Sequence, residues 1–236
     1  MAEQQYPRPI GRVIVTGGAA GLGAAIVAAI ADAGGRPAII DWNLSGAPAD
    51  VPSREADVSD RLAVERAVAE LVDELGGLDA VVTAAGIDRP GGLGDVAAEE
   101  WERVIGVNLL GTVSTVRAAL PHIERVHGRV VTVASSLSLR AFPDATAYCA
   151  SKFGVLGFSR ALAAETAGRI GVTTLIPAGM RTRFFDDRDE RYRPGPDAQL
   201  NDPADVARSV VFALQQPEGC EVRELVMCPE LEPSWP

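Results

Sequence analysis

The sequence predicts one α/β domain in which a parallel sheet carries helices on both faces. Short β-branched runs alternate with longer amphipathic stretches along nearly the whole chain, which is the pattern of strands joined by crossover helices. A glycine-rich turn, residues 17–23, follows the first β-branched run, as in the first strand-to-helix connection of doubly wound sheets. The 236 residues, 47% of them hydrophobic, suffice for one core. We therefore predict a doubly wound, Rossmann-type fold.

The individual elements follow from the residue pattern in chain order. Runs of Val, Ile and Ala between turn residues predict strands, and apolar residues three or four apart predict helices. The seven expected strands are residues 11–16, 37–41, a short strand ending near 57, and residues 78–84, 128–134, 171–177 and 221–228. The six expected helices are residues 22–33, 60–75, 98–107, 109–126, 147–167 and 203–215, the last capped by Asp202.

Two segments lie outside this regular pattern. Residues 1–9 are polar and contain two prolines, so we expect a flexible N-terminal segment followed by a single domain over residues 10–236. Residues 181–201 form a charged connection between the sixth strand and the last helix. Connections longer than about 12–15 residues are uncommon in compact domains unless they are functional or disordered. We expect this segment to be a lid over a functional site.

Composition argues against several classes of protein. A net charge of -10 and a pI near 4.7 would repel a nucleic acid. No continuous apolar stretch reaches about 18 residues, so we expect no membrane partner. The N-terminus lacks a signal-peptide pattern, which predicts a cytoplasmic location. The three cysteines are scattered and the two histidines have no clustered ligands, so we expect reduced thiols and no metal site.

The glycine-rich turn is suited to bind a pyrophosphate group. Backbone amides and the positive end of the first predicted helix meet there. Gly17, Gly21 and Gly23 stand where a side chain would block the turn, the ligand or the packing of helix on sheet. The Gly-x-x-x-Gly-x-Gly spacing is one residue longer in its first gap than the usual dinucleotide fingerprint. A glycine-rich turn without a ligand is the alternative interpretation.

Asp41 strengthens the dinucleotide interpretation and favours NAD. It ends the second predicted strand, where a carboxylate can accept hydrogen bonds from the adenosine ribose and would repel a 2′-phosphate. No basic residue occupies the glycine turn or directly follows Asp41, so the cationic pocket of an NADP site is not visible. The alternative is that Asp41 merely begins a turn.

Lys152 is the only lysine among 22 basic residues, and Tyr148 precedes it by four positions in a predicted helix. Side chains four apart lie on one helix face. A free tyrosine has a pKa of about 10, and bringing that pKa to neutrality takes roughly 4 kcal/mol. A nearby ammonium acts in that direction. The pair therefore predicts a general base, with a chance spacing on a helix as the alternative.

The sequence resembles the single-domain short-chain dehydrogenases over residues 10–226. Thr-Gly-x-x-x-Gly-x-Gly at residues 16–23 and Tyr-x-x-x-Lys at residues 148–152 carry the resemblance, and the two motifs together are more specific than either alone. The resemblance implies an NAD-dependent oxidoreductase that interconverts a secondary alcohol and its ketone by hydride transfer. Its small-molecule substrate would be that alcohol or ketone.

The family pattern also implies four catalytic residues. Tyr148 would act as general acid and base, and Ser135 would hold the substrate oxygen. Lys152 would contact the nicotinamide ribose, and Asn108 would hold a water in a proton path to solvent. A turn residue is the alternative for Ser135, and a helix-kinking or capping residue is the alternative for Asn108.

The residues that contact the cofactor are implied in the same way. They are Gly17, Gly21, Leu22, Gly23, Asp41, Asp57, Val58, Ala85, Gly86, Tyr148, Lys152, Pro177, Gly179 and Thr182. The chain departs from the family pattern at three places. Thr83 replaces an asparagine, which would remove a buried link between strands; Ala178 interrupts the usual Pro-Gly; and no Asp-Gly-Gly occurs near the C-terminus.

Substrate and assembly are the least specified properties. The candidate pocket residues are apolar, namely Leu137, Phe142, Met180, Phe184 and Phe185. They suggest an apolar secondary alcohol or ketone, with ordinary core or lid packing as the alternative. The resemblance implies a homodimer or homotetramer formed through the helices at 109–126 and 147–167. The competing hypotheses are a catalytically silent NAD(H)-binding regulatory protein and an NAD-using epimerase or dehydratase.

Overall fold

The computed structural model describes residues 7–232. Most of the N-terminal segment expected to be flexible, residues 1–6, lies outside the described residues. Within them the chain forms a seven-stranded sheet in the order β3-β2-β1-β4-β5-β6-β7, and every neighbouring pair is parallel. The strands are β1 Arg12–Thr16, β2 Arg36–Asp41, β3 Ser53–Glu55, β4 Ala80–Thr83, β5 Arg129–Val133, β6 Gly171–Pro177 and β7 Glu224–Met227. The predicted doubly wound α/β fold is confirmed.

Helices cover both faces because the central strands are apolar on both sides. They are α1 Gly21–Asp32, α2 Arg61–Leu75, α3 Ala98–Ile105, α4 Gly111–Ile123, α5 Thr146–Glu165 and α6 Pro203–Leu214. Apolar residues of α1 and α6 pack on one face of the sheet, and those of α2, α4 and α5 pack on the other. The strand order reverses between β1 and β4, which is where ligands bind in such sheets, at the carboxyl ends of the strands.

The helices expected at 98–107 and 109–126 are one continuous helix, so the predicted break is wrong. α3 passes into α4 through a single wide π-turn, Gly106–Leu110, and a short 3₁₀ turn, Glu124–Val126, ends the helix. Over Ala98–Val126 the helix is long and apolar enough to cross a membrane by length and composition. In this fold the helix packs on the sheet, and 44% of its most apolar 18-residue stretch is buried.

Several strands are shorter than predicted, and for β3 and β7 the structure shows local reasons. β3 ends at Glu55 because Asp57 accepts hydrogen bonds from Ser59 and the chain turns into α2, whose N-cap is Asp60. β7 begins only at Glu224 because the Glu221 side chain, rather than the backbone, accepts the hydrogen bond from the Val172 amide. Asp202 caps α6 as predicted, by accepting from the Ala204 amide.

Candidate active site

The glycine turn between β1 and α1 is closely packed, as a cradle for a ligand must be. A Cβ on Gly23 would lie 2.0 Å from the Gly17 carbonyl oxygen, and one on Gly17 would lie 2.7 Å from the Ala85 Cα. Gly17 also has a φ of +70°, which L-residues rarely adopt. The N-cap of α1, Ala20, provides no side-chain hydrogen bond, so the first amides of the helix remain available to an anion.

Asp41 ends β2 and is buried against this turn. Its Oδ2 accepts a hydrogen bond from the Ala19 amide at 3.0 Å, and its Oδ1 accepts one from the Asn43 amide at 3.2 Å. The residue therefore begins a turn, as the alternative interpretation holds, and also braces the glycine turn. A carboxylate has about four acceptor positions, so two of them remain for ribose hydroxyls. These features fit a dinucleotide, and the individual contacts stay predictions.

The remaining candidate cofactor residues lie along the same edge of the sheet. Val58 is buried and Asp57 forms an ion pair with Arg103 at 2.6 Å. Burial acts to raise the pKa of Asp57, but the hydrogen bonds from Arg103 and Ser59 outweigh it and lower that pKa. The carboxylate is therefore ionised and already engaged. Its partner Arg103 belongs to α3, so the ion pair ties this corner of the edge to the long helix.

The loop after β4 packs directly against the glycine turn. The Ala85 amide lies 3.4 Å from the Thr16 hydroxyl. A Cβ on Gly86 would approach the Asn108 Oδ1 at 3.4 Å and the Lys152 Nζ at 3.6 Å, so Gly86 lies against two of the four predicted catalytic residues. Thr83 is buried with no hydrogen-bond partner for its hydroxyl among the described residues. The link that an asparagine would make at this position is therefore absent.

The loop after β6 lies on the other side of the glycine turn from the loop after β4. β6 ends at Pro177, the Gly179 carbonyl accepts the Asn201 amide, and the Ala178 amide donates to the Met227 carbonyl. Despite the atypical Ala178, the loop brings the Thr182 side chain opposite Gly21, where a Cβ would lie 3.6 Å from it. Thr182 thus faces the start of α1, next to Leu22.

Three of the four predicted catalytic residues meet at the carboxyl end of β5. Tyr148 and Lys152 lie one turn apart on α5, and the Lys152 Nζ is 5.6 Å from the centroid of the Tyr148 ring. The buried Lys152 donates to the Val133 carbonyl at 2.8 Å. Ser135 follows that strand, hydrogen-bonds the Tyr148 side chain and accepts from the Leu137 amide. Ser135 therefore serves both as a turn residue and as a partner of the tyrosine.

The expected direction of the Tyr148 pKa shift is wrong. Burial raises the pKa of Tyr148 to about 12, since the hydrogen bond from Ser135 lowers it less than desolvation and the Asp88 charge raise it. Burial also lowers the pKa of Lys152 to about 8, although the Asp88 charge acts to raise it. The Lys152 ammonium hydrogen-bonds a backbone carbonyl instead of the phenol. At neutral pH Tyr148 is thus a proton donor here.

Asn108 lies in the π-turn with its side chain fully engaged. Its Oδ1 accepts from the Ile87 amide at 2.8 Å, and its Nδ2 donates to the Ile87 carbonyl and to the Ser151 hydroxyl. This arrangement ties the long helix to the loop after β4 and to α5. Asn108 therefore positions the site through its side chain, and its part in a water-mediated proton path stays a prediction.

Sequence reasoning missed a charged pair near Tyr148. Arg188, from the 181–201 segment, forms a 2.8 Å ion pair with Asp88 in the loop after β4. Its guanidinium stacks over Phe184 and Phe185, and the Phe184 ring centroid is 5.9 Å from that of Tyr148. The segment thus lies against Tyr148, where a lid is expected. No local signal joins two residues that are 100 positions apart.

A family model for the short chain dehydrogenases matches residues 11–193. The chain belongs to this family. Its 3-oxoacyl-[acyl-carrier-protein] reductase relative from Bos taurus is 35% identical over 214 residues, which cover 86% of this chain and 90% of the relative. A glycine betaine reductase, ATRR, from Emericella nidulans is 32% identical over 93% of this chain, but the chain spans only 19% of that longer protein.

Solved structures of short-chain dehydrogenases share the architecture. A 3-ketoacyl-(acyl-carrier-protein) reductase from Brucella melitensis complexed with NADH has a TM-score of 0.83 at 26% identity, with 92% of this chain and 96% of that chain covered. An alcohol dehydrogenase from the archaeon Thermococcus sibiricus complexed with 5-hydroxy-NADP has a TM-score of 0.82 at 25% identity and the same coverage. The family and these relatives make the chain an oxidoreductase that uses a nicotinamide cofactor.

The lowered pKa of Lys152 predicts a pH-dependent stability. Because burial lowers that pKa from 10.5 to about 8, the charged form costs the folded state about 3 kcal/mol below pH 8. Between pH 8 and pH 10.5 Lys152 is protonated in the unfolded chain and deprotonated in the folded chain, so the free energy of unfolding rises with pH. Lys152→Met removes the charge and keeps similar bulk. We expect Lys152→Met to be more stable than the wild type at pH 7, where the wild type carries the buried charge. The difference between their free energies of unfolding should shrink by about 2 kcal/mol from pH 7 to 9.5.

Urea unfolding of both cofactor-free proteins at several pH values checks this prediction. Titrations of all other groups cancel in the comparison, and Tyr148, whose raised pKa makes stability fall only above pH 10, does not interfere. A difference that stays constant with pH would contradict a buried, easily deprotonated Lys152.

Proposed function

We propose that the chain is an NAD-preferring alcohol dehydrogenase or ketone reductase in which Tyr148 moves the proton. The observation that carries the proposal is the meeting of Tyr148, Ser135 and Lys152 at the carboxyl end of β5, beside the glycine cradle. NAD(H) bound there would supply the hydride acceptor or donor. Relatives that are reductases, and a structural neighbour that is an alcohol dehydrogenase, do not favour a silent regulatory protein.

The chain's own residues perform the acid–base half of the reaction. Ser135 holds the substrate oxygen by a hydrogen bond next to the Tyr148 hydroxyl. In ketone reduction, Tyr148 donates its proton to the substrate oxygen as the C–H bond forms; in alcohol oxidation, the deprotonated phenol takes up the hydroxyl proton. Lys152, whose Nζ is 5.6 Å from the centroid of the phenol ring, would contribute a positive charge beside the phenol at pH values below its own pKa of about 8.

The preference for NAD rests on Asp41. The carboxylate lies at the end of β2, buried against the glycine turn, where it would repel the 2′-phosphate of NADP and accept hydrogen bonds from the ribose of NAD. The structural neighbours were solved with either cofactor, so the charge at this position is the deciding feature. The apolar wall formed by Phe184 next to Tyr148 supports an organic alcohol or ketone as substrate.

Titration of the protein with NADH and NADPH, followed by nicotinamide fluorescence, tests the cofactor assignment. We expect NADH to bind at least 10-fold more tightly, which corresponds to about 1.4 kcal/mol. Asp41→Asn removes the charge but keeps one oxygen for the Ala19 amide, so it should reverse or erase the preference. Asp32→Asn is the matched control, because Asp32 is exposed at the far end of α1 and its loss changes the net charge equally. Tighter NADPH binding by the wild type would refute the assignment.

A further inference from the structure

The Asp88–Arg188 pair is unusually buried for two charged side chains. Their exposed fractions are 6% and 15%, and one hydrogen bond of 2.8 Å joins Arg188 Nη2 to Asp88 Oδ2. Asp88 follows Ile87, whose backbone is fixed by the Asn108 side chain. Arg188 is held over the rings of Phe184 and Phe185 at 5.0 and 4.6 Å. Both charges are therefore positioned by their surroundings, one from the sheet edge and one from the 181–201 segment.

The pair is linked to Tyr148 through the ring of Phe184, and its charges act on the phenol. The charges of Asp88 and Arg188 both act on the pKa of Tyr148, in opposite directions, and the Asp88 charge also acts on Lys152. Phe184, which stacks under Arg188, contacts the Tyr148 ring. A substrate whose oxygen reaches Tyr148 and Ser135 would therefore bind beside Phe184, on the side of the site where this pair lies.

One acceptor and one donor of the pair are left without a partner. Among the described residues, neither Asp88 Oδ1 nor Arg188 Nε has a hydrogen-bond partner, and both atoms are buried. Burial raises the pKa of Asp88, and the Arg188 charge and the Arg89 amide act to lower it. The Arg89 amide nevertheless does not reach Oδ1 in hydrogen-bond geometry. Buried polar atoms are nearly always satisfied, and an unsatisfied one near a reactive group calls for a functional explanation.

We propose that Asp88 and Arg188 form a subsite for a hydroxyl group on the carbon next to the reacting carbon, so that the preferred substrate is a vicinal diol or the corresponding hydroxyketone. A hydroxyl is the smallest neutral group that donates and accepts, so it can donate to Asp88 Oδ1 and accept from Arg188 Nε. A substrate carboxylate would be repelled by Asp88, and an amine by Arg188. A carbonyl would leave Oδ1 unsatisfied. This inference rests on the proposed function.

The subsite also explains why the substrate need not be wholly apolar, despite the aromatic side chains around it. Phe184 and Phe185 cover the guanidinium, exclude water and so strengthen its interaction with a bound hydroxyl. In this structure both unpartnered atoms are buried, and Arg188 belongs to the 181–201 segment. The substrate therefore enters when the segment moves outward, and its hydroxyl meets Asp88 before Arg188 returns.

Matched pairs of alcohols test the subsite. Butane-2,3-diol and butan-2-ol share a carbon skeleton and differ in one hydroxyl, as do cyclohexane-1,2-diol and cyclohexanol. We expect wild-type kcat/KM with NAD to be 10- to 100-fold higher for the diol of at least one pair, the range of a hydrogen bond to a charged group. Equal rates, or faster oxidation of the mono-alcohols, would overturn the subsite and leave the proposed dehydrogenase function standing.

Variants connect the preference to the two residues. The double variant Asp88→Leu/Arg188→Met removes both charges together, so neither is left buried alone. We expect its diol preference to fall below 3-fold. The measured quantity is the ratio of kcat/KM for butane-2,3-diol and butan-2-ol, because a rate change common to both alcohols cancels in that ratio. Arg183→Met, an exposed arginine of the same segment, is the control and should keep the full preference. A double variant that still prefers the diol would refute the assignment.

The remaining outcomes are also decisive. NADH titration and the thermal midpoint show whether the double variant is folded; if it is not, the wild-type comparison of the matched pairs decides alone. Turnover of no alcohol in the panel, with wild type and Tyr148→Phe indistinguishable, would refute the proposed function and this inference with it.

Discussion

Tyr148→Phe is expected to lower kcat by 10²- to 10⁴-fold, the usual contribution of a positioned general acid or base. Phenylalanine keeps the ring that packs against Phe184 and loses only the hydroxyl that Ser135 contacts. The substrate oxygen then has no proton donor in reduction and no acceptor in oxidation. Because the change removes an interaction made in the transition state, kcat and kcat/KM should fall together.

Three measurements separate this effect from general damage. NADH affinity, measured by fluorescence, should stay within a few-fold of wild type, and the thermal midpoint should not fall. Ser135→Ala should reduce kcat less, since it removes a hydrogen bond to the substrate but leaves the proton donor in place. A Tyr148→Phe variant with more than a tenth of wild-type kcat would show that another group moves the proton.

The fold was predictable because its signals are local and periodic. The alternation of β-branched runs with amphipathic stretches gave all seven strands, and the parallel order followed from the crossover helices. The glycine turn and the Tyr148–Lys152 spacing were visible for the same reason, because each motif lies within one short segment. Their meeting at one sheet edge follows from the rule that ligands bind at the carboxyl ends of parallel strands.

What could not be predicted depends on burial and on distant contacts. The spacing of Tyr148 and Lys152 suggested a lowered tyrosine pKa, yet the direction is set by desolvation, which no spacing reveals. The continuous helix through the π-turn depends on Asn108 reaching Ile87 and Ser151 on two other segments. Likewise, the Asp88–Arg188 pair exists only because the 181–201 segment folds back on the loop after β4.

Gly23→Ala is also expected to have a large effect: NADH affinity should fall by at least 100-fold. The added Cβ would lie 2.0 Å from the Gly17 carbonyl oxygen and 2.6 Å from its carbon, so the glycine turn or α1 must move. Gly17 in turn would be pushed towards Ala85, against which it already packs closely. Overpacking of this kind costs about 1–3 kcal/mol of stability, and it displaces the amides that would receive the pyrophosphate.

Gly157→Ala is the matched control for this change. Gly157 also lies inside a helix, α5, but a Cβ there meets nothing within 4 Å. Alanine should therefore stabilise the helix by about 0.5–1 kcal/mol and leave NADH binding unchanged. Fluorescence titration and urea unfolding of both variants give the comparison. If Gly23→Ala bound NADH as the wild type does, the turn would have to accommodate a methyl group. The close approach of Gly23 to Gly17 would then not be what shapes the cofactor cradle.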